Sequence, residues 1–125
     1  MAQVTTTSGY VVHFDPEAIV LVTADGAGGQ GSALAGVLEG LLHTTGAPAQ
    51  LLQDLGIASS FVRLTRPDGS SVWLKASAVS AVRVPLQQEY PAAVNAVIRI
   101  GGATQGVGEG VQAVVDSVNQ AGGRL

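Results

Sequence analysis

The sequence predicts a β-rich α+β protein, built from two related hairpin-containing β units with two helices inserted between them and one helix at the C-terminus. Three observations lead to this prediction: short alternating apolar runs separated by glycine turns, a self-similarity at a shift of 60 residues, and helical periodicity confined to two stretches. The chain has 125 residues and no cysteine, so we expect a folded core without disulfides or zinc-cysteine sites.

The first β unit, residues 1–24, resembles the stretch that begins at residue 61. Each copy is predicted to form a hairpin, a short polar link and a third strand, and the copies are expected to diverge afterwards. Five of eight matched positions are identical when the chain is shifted by 60: Val4 on Leu64, Thr5 on Thr65, Gly9 on Gly69, Val12 on Val72, Phe14 on Leu74, Ala18 on Ala78, Ile19 on Val79 and Val22 on Val82. Whether this similarity reflects a true duplication stays open here.

Residues 25–58 are predicted to form a glycine-rich hinge followed by two helices. The first helix would begin with an N-cap at Ser32 and end near His43, because apolar residues recur there at helical spacing. The second would run from Pro48, where a missing N–H costs nothing, to Leu55, and Gly56 would stop it. The glycines assigned to the hinge are Gly26, Gly28, Gly29 and Gly31.

Residues 59–125 are predicted to form the second β unit and the C-terminal helix. Its hairpin would turn at Pro67-Asp68-Gly69, since proline presets φ and glycine accepts a positive φ. Further strands are expected over 79–82, 96–100 and near 104–107, followed by a helix from about Glu109 to Gln120. We expect all three segments to form one compact domain.

Charge divides the chain into an acidic and a basic part. Residues 1–60 contain five acidic residues and no lysine or arginine, whereas residues 61–99 contain five cations and two acids. Complementary potentials of this kind favour contacts between copies, or within one chain, whereas the diluted cations disfavour nucleic-acid binding. The predicted contact residues are Arg63, Arg66, Lys75 and Arg83, facing Asp15, Glu17 and Asp25.

The sequence contains only weak patterns of catalytic or metal-binding residues. His13 and His43 are the only imidazoles and have no clustered carboxylates beside them in sequence, so neither a catalytic nor a metal-binding role is expected. His13 aligns with Trp73 and is assigned to a half-buried sheet position. Asp15-Pro16-Glu17 fits a helical turn with the aspartate as N-cap. We therefore expect no enzyme activity, no cofactor and no metal.

Residues 26–31 fit the GxGxxG pattern of dinucleotide-binding loops. The glycines begin about three residues after an apolar strand, and no acid-terminated strand follows at the spacing such sites use. A hinge is therefore favoured, and nucleotide binding is an alternative. No apolar run is long enough to span a membrane, and the N-terminus lacks a secretory pattern, so we expect no membrane insertion and a virion or cytoplasmic location.

One pattern covers about half of the chain. It consists of Arg63-Leu64-Thr65-Arg66-Pro67-Asp68-Gly69, Val72-Trp73-Leu74 with Ala78-Val79 and Val82, Val97-Ile98-Arg99-Ile100-Gly101-Gly102, and Val107-Gly108-Glu109 with Val111, Val114 and Val118. In this pattern residues 61–120 resemble the small flagellar FlbD-type proteins of motility loci. Gly110 stands where that family has a capping serine or threonine, and residues 1–60 have no counterpart. The resemblance implies a non-enzymatic module that acts through protein contacts. LytTR-type DNA-binding domains have similar patterns, which leaves DNA binding as a third alternative.

These observations predict a non-catalytic structural or adaptor protein that self-assembles or docks onto a larger protein assembly. The expected partner is another copy of the chain or a scaffold such as a capsid or motor, and a phage decoration or tail-accessory protein would fit. The alternatives are a nucleotide-binding protein that uses residues 26–31 and a flagellar FlbD-type module.

Overall fold

A computed structural model describes residues 2–25, 30–86 and 93–125 of the chain. Within these residues, the fold contains ten β-strands in antiparallel sheets and two α-helices, which confirms the β-rich α+β class. The chain divides into two units, Met1–Ser59 (unit 1) and Ser60–Leu125 (unit 2). In the parts of the chain that the structure describes, neither helix has the length and apolarity needed to span a membrane.

Unit 1 is built from a hairpin, a three-stranded antiparallel sheet and a helix. Its elements are β1 (Ala2–Thr5), β2 (Val11–Phe14), a 3-10 turn (Pro16–Ala18), β3 (Leu21–Asp25), β4 (Gly31–Ala35), β5 (Leu42–Thr45) and α1 (Pro48–Asp54). β1 pairs with β2, and β4 pairs with β3 on one side and β5 on the other. A bridge from Thr6 to Thr44 joins the end of β1 to β5. Alternate residues of these strands, such as Val22 and Leu34, are fully buried.

The predicted helix from Ser32 to His43 is wrong, because this stretch forms β4, a turn and β5. Ser32 and Leu34 lie opposite Thr44 and Leu42, and all four side chains are buried on one face of the sheet. Gly36 and Gly40, with φ of +100° and +74°, hold the turn in a conformation that a right-handed helix does not allow. A single α-helix, α1, therefore follows the hinge region instead of the two expected.

Unit 2 repeats this arrangement with elements that are equally long or longer. It contains β6 (Phe61–Thr65), β7 (Ser71–Lys75), a 3-10 turn (Ala76–Ala78), β8 (Val79–Arg83), β9 (Ala96–Ile100), β10 (Ala103–Val107) and α2 (Val111–Gln120), and a further 3-10 turn, Ala58–Ser60, precedes β6. β6 pairs with β7, and β9 pairs with both β8 and β10. The Gly108 N–H donates to the Thr65 carbonyl at 2.8 Å, which joins β6 to the end of β10. α2 covers this unit with Val114 and Val118, both fully buried.

Both units have the same order of elements: a hairpin, a 3-10 turn, three antiparallel strands and a helix. The 3-10 turns, Pro16–Ala18 and Ala76–Ala78, occupy the positions that the shift of 60 residues superposes. The expected divergence after the third strand is wrong at the level of elements, because each unit continues with two more strands and a helix. The units differ instead in element length and in surface chemistry.

Candidate binding surface

The outer face of the β6–β7 hairpin carries an arginine stacked on a tryptophan. Arg63 and Trp73 are cross-strand partners, and the Arg63 guanidinium lies 5.3 Å from the centre of the indole ring. The Arg63 Nε also donates to the Ser71 Oγ at 3.0 Å, so the guanidinium is held by two contacts. Arg63 is exposed and Trp73 half-buried, because the intervening residues Val62, Leu64, Val72 and Leu74 point into the core. Such a pair offers a partner a positive charge that is held in a fixed position on an aromatic ring.

The same position in unit 1 has different chemistry. Gln3 lies opposite His13 in the β1–β2 hairpin, just as Arg63 lies opposite Trp73. The alignment of His13 with Trp73 is thus matched by the register of the two hairpins, although the His13 side chain is exposed rather than half-buried. The aromatic and cationic pair belongs to unit 2 alone.

A second feature of unit 2 is a groove beside the turn that joins β6 to β7. The groove has a volume of about 410 Å³ and is lined by Arg66, Pro67, Asp68, Thr104, Gln105 and Gly106. The Asp68 carboxylate accepts both the backbone N–H and the hydroxyl of Ser70, at 2.9 and 2.6 Å. These two hydrogen bonds, with a smaller effect of the nearby Arg66 charge, lower the pKa of the Asp68 carboxyl below its ordinary value. Asp68 therefore stays ionised to a lower pH than a free aspartate.

A third feature lies on the outer face of the sheet formed by β8, β9 and β10. Here a cavity of about 250 Å³ is lined by Ala81, Arg83, Val97, Arg99 and Thr104. Arg99 lies opposite both Ala81 and Thr104, so the three residues form one row across the sheet. Thr104 lines this cavity and the groove beside Arg66, which makes the two depressions neighbours.

The four predicted cationic contact residues therefore fall in three places. Arg63 belongs to the hairpin face with Trp73, and Lys75 lies at the end of β7, the strand of Trp73, opposite Phe61. Arg66 lines the groove and Arg83 lines the cavity, where its Nη1 donates to the Val84 carbonyl at 3.2 Å. The structure places Arg99, which the sequence analysis missed, beside Arg83. Its position could have been read from the alternation in β9, where a charged residue interrupts an apolar run.

The predicted acidic contact residues have local structural roles in unit 1. The Asp15 carboxylate accepts the Glu17 backbone N–H at 3.0 Å, which caps the 3-10 turn and matches the expected N-cap. Asp25 instead contacts His43, with 2.6 Å between Oδ2 and Nδ1. Asp25 lies opposite Gly31, which has no side chain, and His43 lies in the adjacent row, opposite Ala33. Asp15 and Glu17 are exposed.

The predicted hinge is described only at its last residue. Gly31 is the first residue of β4 and pairs with Asp25 and Thr45, so it belongs to the sheet. A Cβ there would lie 3.0 Å from the Asp25 carbonyl oxygen and 3.1 Å from that of Thr44, which explains why a glycine stands at this close approach. Gly26, Gly28 and Gly29 lie outside the described residues. The helix that a dinucleotide site would need after residue 31 is replaced by β4.

The two histidines lie on separate elements, β2 and β5. Within residues 2–25, 30–86 and 93–125, no group of three or more histidine, aspartate or glutamate side chains is arranged to hold a metal ion. The Asp25–His43 pair lies on the exposed face of the unit 1 sheet, with 36% and 49% of the side chains accessible. A scan against protein-family models, a search of curated proteins and a search of solved structures each found no match to this chain.

Proposed function

We propose that this protein is a non-catalytic structural or adaptor protein that assembles with itself or docks onto a larger protein assembly. One observation carries the proposal: two units with the same order of elements have opposite charge. All six lysine and arginine residues fall in unit 2, whereas unit 1 contains five acidic residues and neither cation. A basic unit that recognises the acidic unit of the next copy gives a head-to-tail contact, which generates rings or filaments.

The Arg63–Trp73 face is the natural centre of such a contact. Tryptophan and arginine dominate the residues whose removal costs most binding energy at protein interfaces. Isolated ion pairs at the rim of an interface contribute about 0–1 kcal/mol each, so charge steers the approach and the aromatic surface supplies the stability. The acidic counterpart would be the exposed turn that holds Asp15 and Glu17.

The resemblance of residues 61–120 to FlbD-type proteins supports a module of this class, since those proteins act through protein contacts. A capsid or a motor is a scaffold of the kind proposed, and a phage decoration or tail-accessory protein would combine self-assembly with docking. The proposed surface lies on the hairpin face and does not depend on which scaffold is present.

Light scattering at low and high salt, over a series of protein concentrations, tests the proposal. We expect a discrete oligomer that dissociates as salt rises, because screening weakens contacts between exposed charges. The chain has a single tryptophan, so a change of Trp73 emission on dilution reports this face directly. Arg63→Glu should abolish the oligomer, whereas Arg124→Glu, which makes the same change of charge near the C-terminus, should not. A salt-independent monomer would overturn self-assembly and leave docking onto a different protein.

A further inference from the structure

The outer edge of the last strand of unit 1 is covered by the chain itself. Beyond the end of β1, Thr6 bridges Thr44, and the Thr7 backbone N–H donates to the His43 carbonyl at 3.1 Å. The extension of β1 therefore lies against β5 and satisfies backbone groups on the side that faces away from β4. An edge that is covered in this way offers little to another chain.

Unit 2 has a proline at the corresponding position. The shift of 60 residues places Pro67 on Thr7, and proline has no N–H to donate. Gly108 donates to the Thr65 carbonyl, so antiparallel pairing would bring residue 67 opposite Gly106. The Gly106 carbonyl is instead bonded by the side-chain amide of its neighbour Gln105, at 2.7 Å. The groove of about 410 Å³ beside Arg66 and Pro67 occupies the place of the missing strand contact.

The backbone of β10 presents hydrogen-bonding groups to this groove. Alternate residues of an antiparallel strand direct their N–H and C=O groups to opposite sides. Gly108 bonds to Thr65, on the side away from β9, so Thr104 and Gly106 direct their groups to that same outer side. Thr104 is exposed, whereas Gly106 is buried and its carbonyl accepts the Gln105 side-chain amide; both residues line the groove. The strand edge is therefore open to a partner at Thr104, and at Gly106 an added strand would take the place of the Gln105 amide.

The charges around this edge favour an acidic occupant. Arg66 lines the groove, and Arg83 and Arg99 line the adjoining cavity that shares Thr104. Among the described residues that line these two depressions, three guanidinium groups stand against one carboxylate, that of Asp68. Because the side chains of a strand alternate between its two faces, acidic residues at every second position of an added strand would all face the arginines.

We propose that the outer edge of β10 binds an extended acidic segment of a different protein, which adds to the sheet as a strand beside Thr104 and Gly106. This inference rests on the proposed function and names the chemistry of its docking partner. A second copy of the chain is a poor source of the segment, because the acids of unit 1 lie in formed structure: Asp15 and Glu17 in a 3-10 turn, Asp25 in β3, Glu39 in the turn between β4 and β5 and Asp54 in α1. Strand addition obtains affinity from main-chain hydrogen bonds and specificity from alternate side chains.

The test measures binding of a short, fluorescently labelled peptide in which aspartate and valine alternate, by anisotropy against the full chain at low salt. A peptide of the same composition with its aspartates clustered at one end is the control. We expect the alternating peptide to bind more tightly, and to shift the backbone amide resonances of Thr104 and Gly106. Equal binding of the two peptides, or resonance shifts confined to the β6–β7 face, would overturn the proposal.

Two pairs of variants distinguish binding through the backbone edge of β10 from binding through side chains. Thr104→Pro removes an N–H that faces away from β9 and should weaken binding about tenfold, whereas Thr104→Val keeps that N–H and should bind more tightly than Thr104→Pro. Pro67→Thr restores the donor present in unit 1 and should also weaken binding, by closing the groove. Pro67→Ala restores the same N–H without a β-branched side chain and should weaken binding to a similar extent. Unchanged affinity in both Thr104→Pro and Pro67→Thr would contradict strand addition.

The self-association measurement distinguishes a failure of the proposed self-assembly from a failure of the proposed docking edge. If the original chain is monomeric at every salt concentration but binds the alternating peptide at β10, self-assembly fails and the docking edge stands. If the oligomer dissociates in Arg63→Glu but Thr104→Pro has no effect on peptide affinity, the docking edge fails alone. Amide spectra of each variant show whether it retains the fold.

Discussion

The carboxylate of Glu109 accepts the backbone N–H of Thr65 through both of its oxygens, at 2.9 and 3.1 Å. The Thr65 carbonyl in turn accepts the Gly108 N–H at 2.8 Å. One residue of β6 is thus held on both of its backbone groups by the segment that leads into α2. This clamp connects the hairpin of unit 2 to the end of its three-stranded sheet.

Removal of the Glu109 carboxylate should destabilise the protein. We expect Glu109→Ala to lower the free energy of unfolding by about 1–2 kcal/mol, since a hydrogen bond to a charged group is lost and the Thr65 N–H loses its partner. Urea denaturation followed by circular dichroism measures the change. Glu39→Ala removes an exposed carboxylate from a turn and should stay within about 0.5 kcal/mol of the original chain. Equal losses in the two variants would contradict the clamp.

Two glycines in the turn between β4 and β5 should respond differently to alanine. A Cβ on Gly36 would lie 2.3 Å from the Ala18 carbonyl oxygen, whereas nothing lies within 4 Å of a Cβ on Gly40. Both have positive φ, so each substitution is strained, and only Gly36→Ala also forces the backbone apart. We expect Gly40→Ala to cost about 1 kcal/mol and Gly36→Ala more than twice that, as measured by thermal and chemical denaturation. The reverse order would show that this turn is arranged differently.

The Asp68 carboxyl should titrate below the ordinary aspartate pKa of 3.8. Because the folded-state pKa is lowered, the stabilisation is present above the unfolded-state value and is lost as the pH falls through the folded-state value. Ser70→Ala removes the strongest hydrogen bond to the carboxylate and should raise the Asp68 pKa towards its ordinary value. Carbon-detected NMR titration of the side-chain carboxyl measures both values, and an unchanged pKa in Ser70→Ala would assign the shift to another cause.

Loss of the Arg63 guanidinium should expose Trp73. We expect Arg63→Ala to increase quenching of tryptophan fluorescence by acrylamide and to lower stability by about 0.5–1 kcal/mol, because the cation no longer covers the ring. Arg63→Lys keeps the charge but not the planar stacking and should give an intermediate result. The control is Arg99→Ala, which removes an arginine from the outer face of another sheet and should leave Trp73 quenching unchanged.

The elements best predicted from sequence were those in which local chemistry and tertiary packing agree. The turn at Pro67-Asp68-Gly69 needs a positive φ at its glycine, and Gly69 has a φ of +88°. The helix predicted over about 109–120 is observed as Val111–Gln120, because its valines recur at helical spacing and Val114 and Val118 fill the core. In both segments, each local preference is satisfied by the final structure.

The stretch from Ser32 to His43 shows why the rest was missed. Its leucines fit both a helical period and two alternating strands, so the apolar pattern alone could not decide between them. Two buried polar residues decide it in the structure: the Ser32 hydroxyl donates to the Gly46 carbonyl at 2.7 Å, and Thr44 lies opposite Ser32 across the ladder. The prediction of the candidate binding surface from the sequence was limited in a similar way. Charge selected Arg63, Arg66, Lys75 and Arg83, but only strand register shows that Trp73 accompanies Arg63 and that Arg99 lies near Arg83.

The clamp at Thr65 also bears on the order in which unit 2 folds. Its two members are 44 residues apart in sequence, whereas the hairpins of β6 with β7 and of β9 with β10 join neighbouring strands. Closing the longer loop costs more chain entropy, so we expect the hairpins to form first and the clamp to form after the folding barrier is crossed. Substitutions at Glu109 would then accelerate unfolding and leave the folding rate almost unchanged. The lifetime of the folded state, more than the speed of reaching it, depends on this carboxylate.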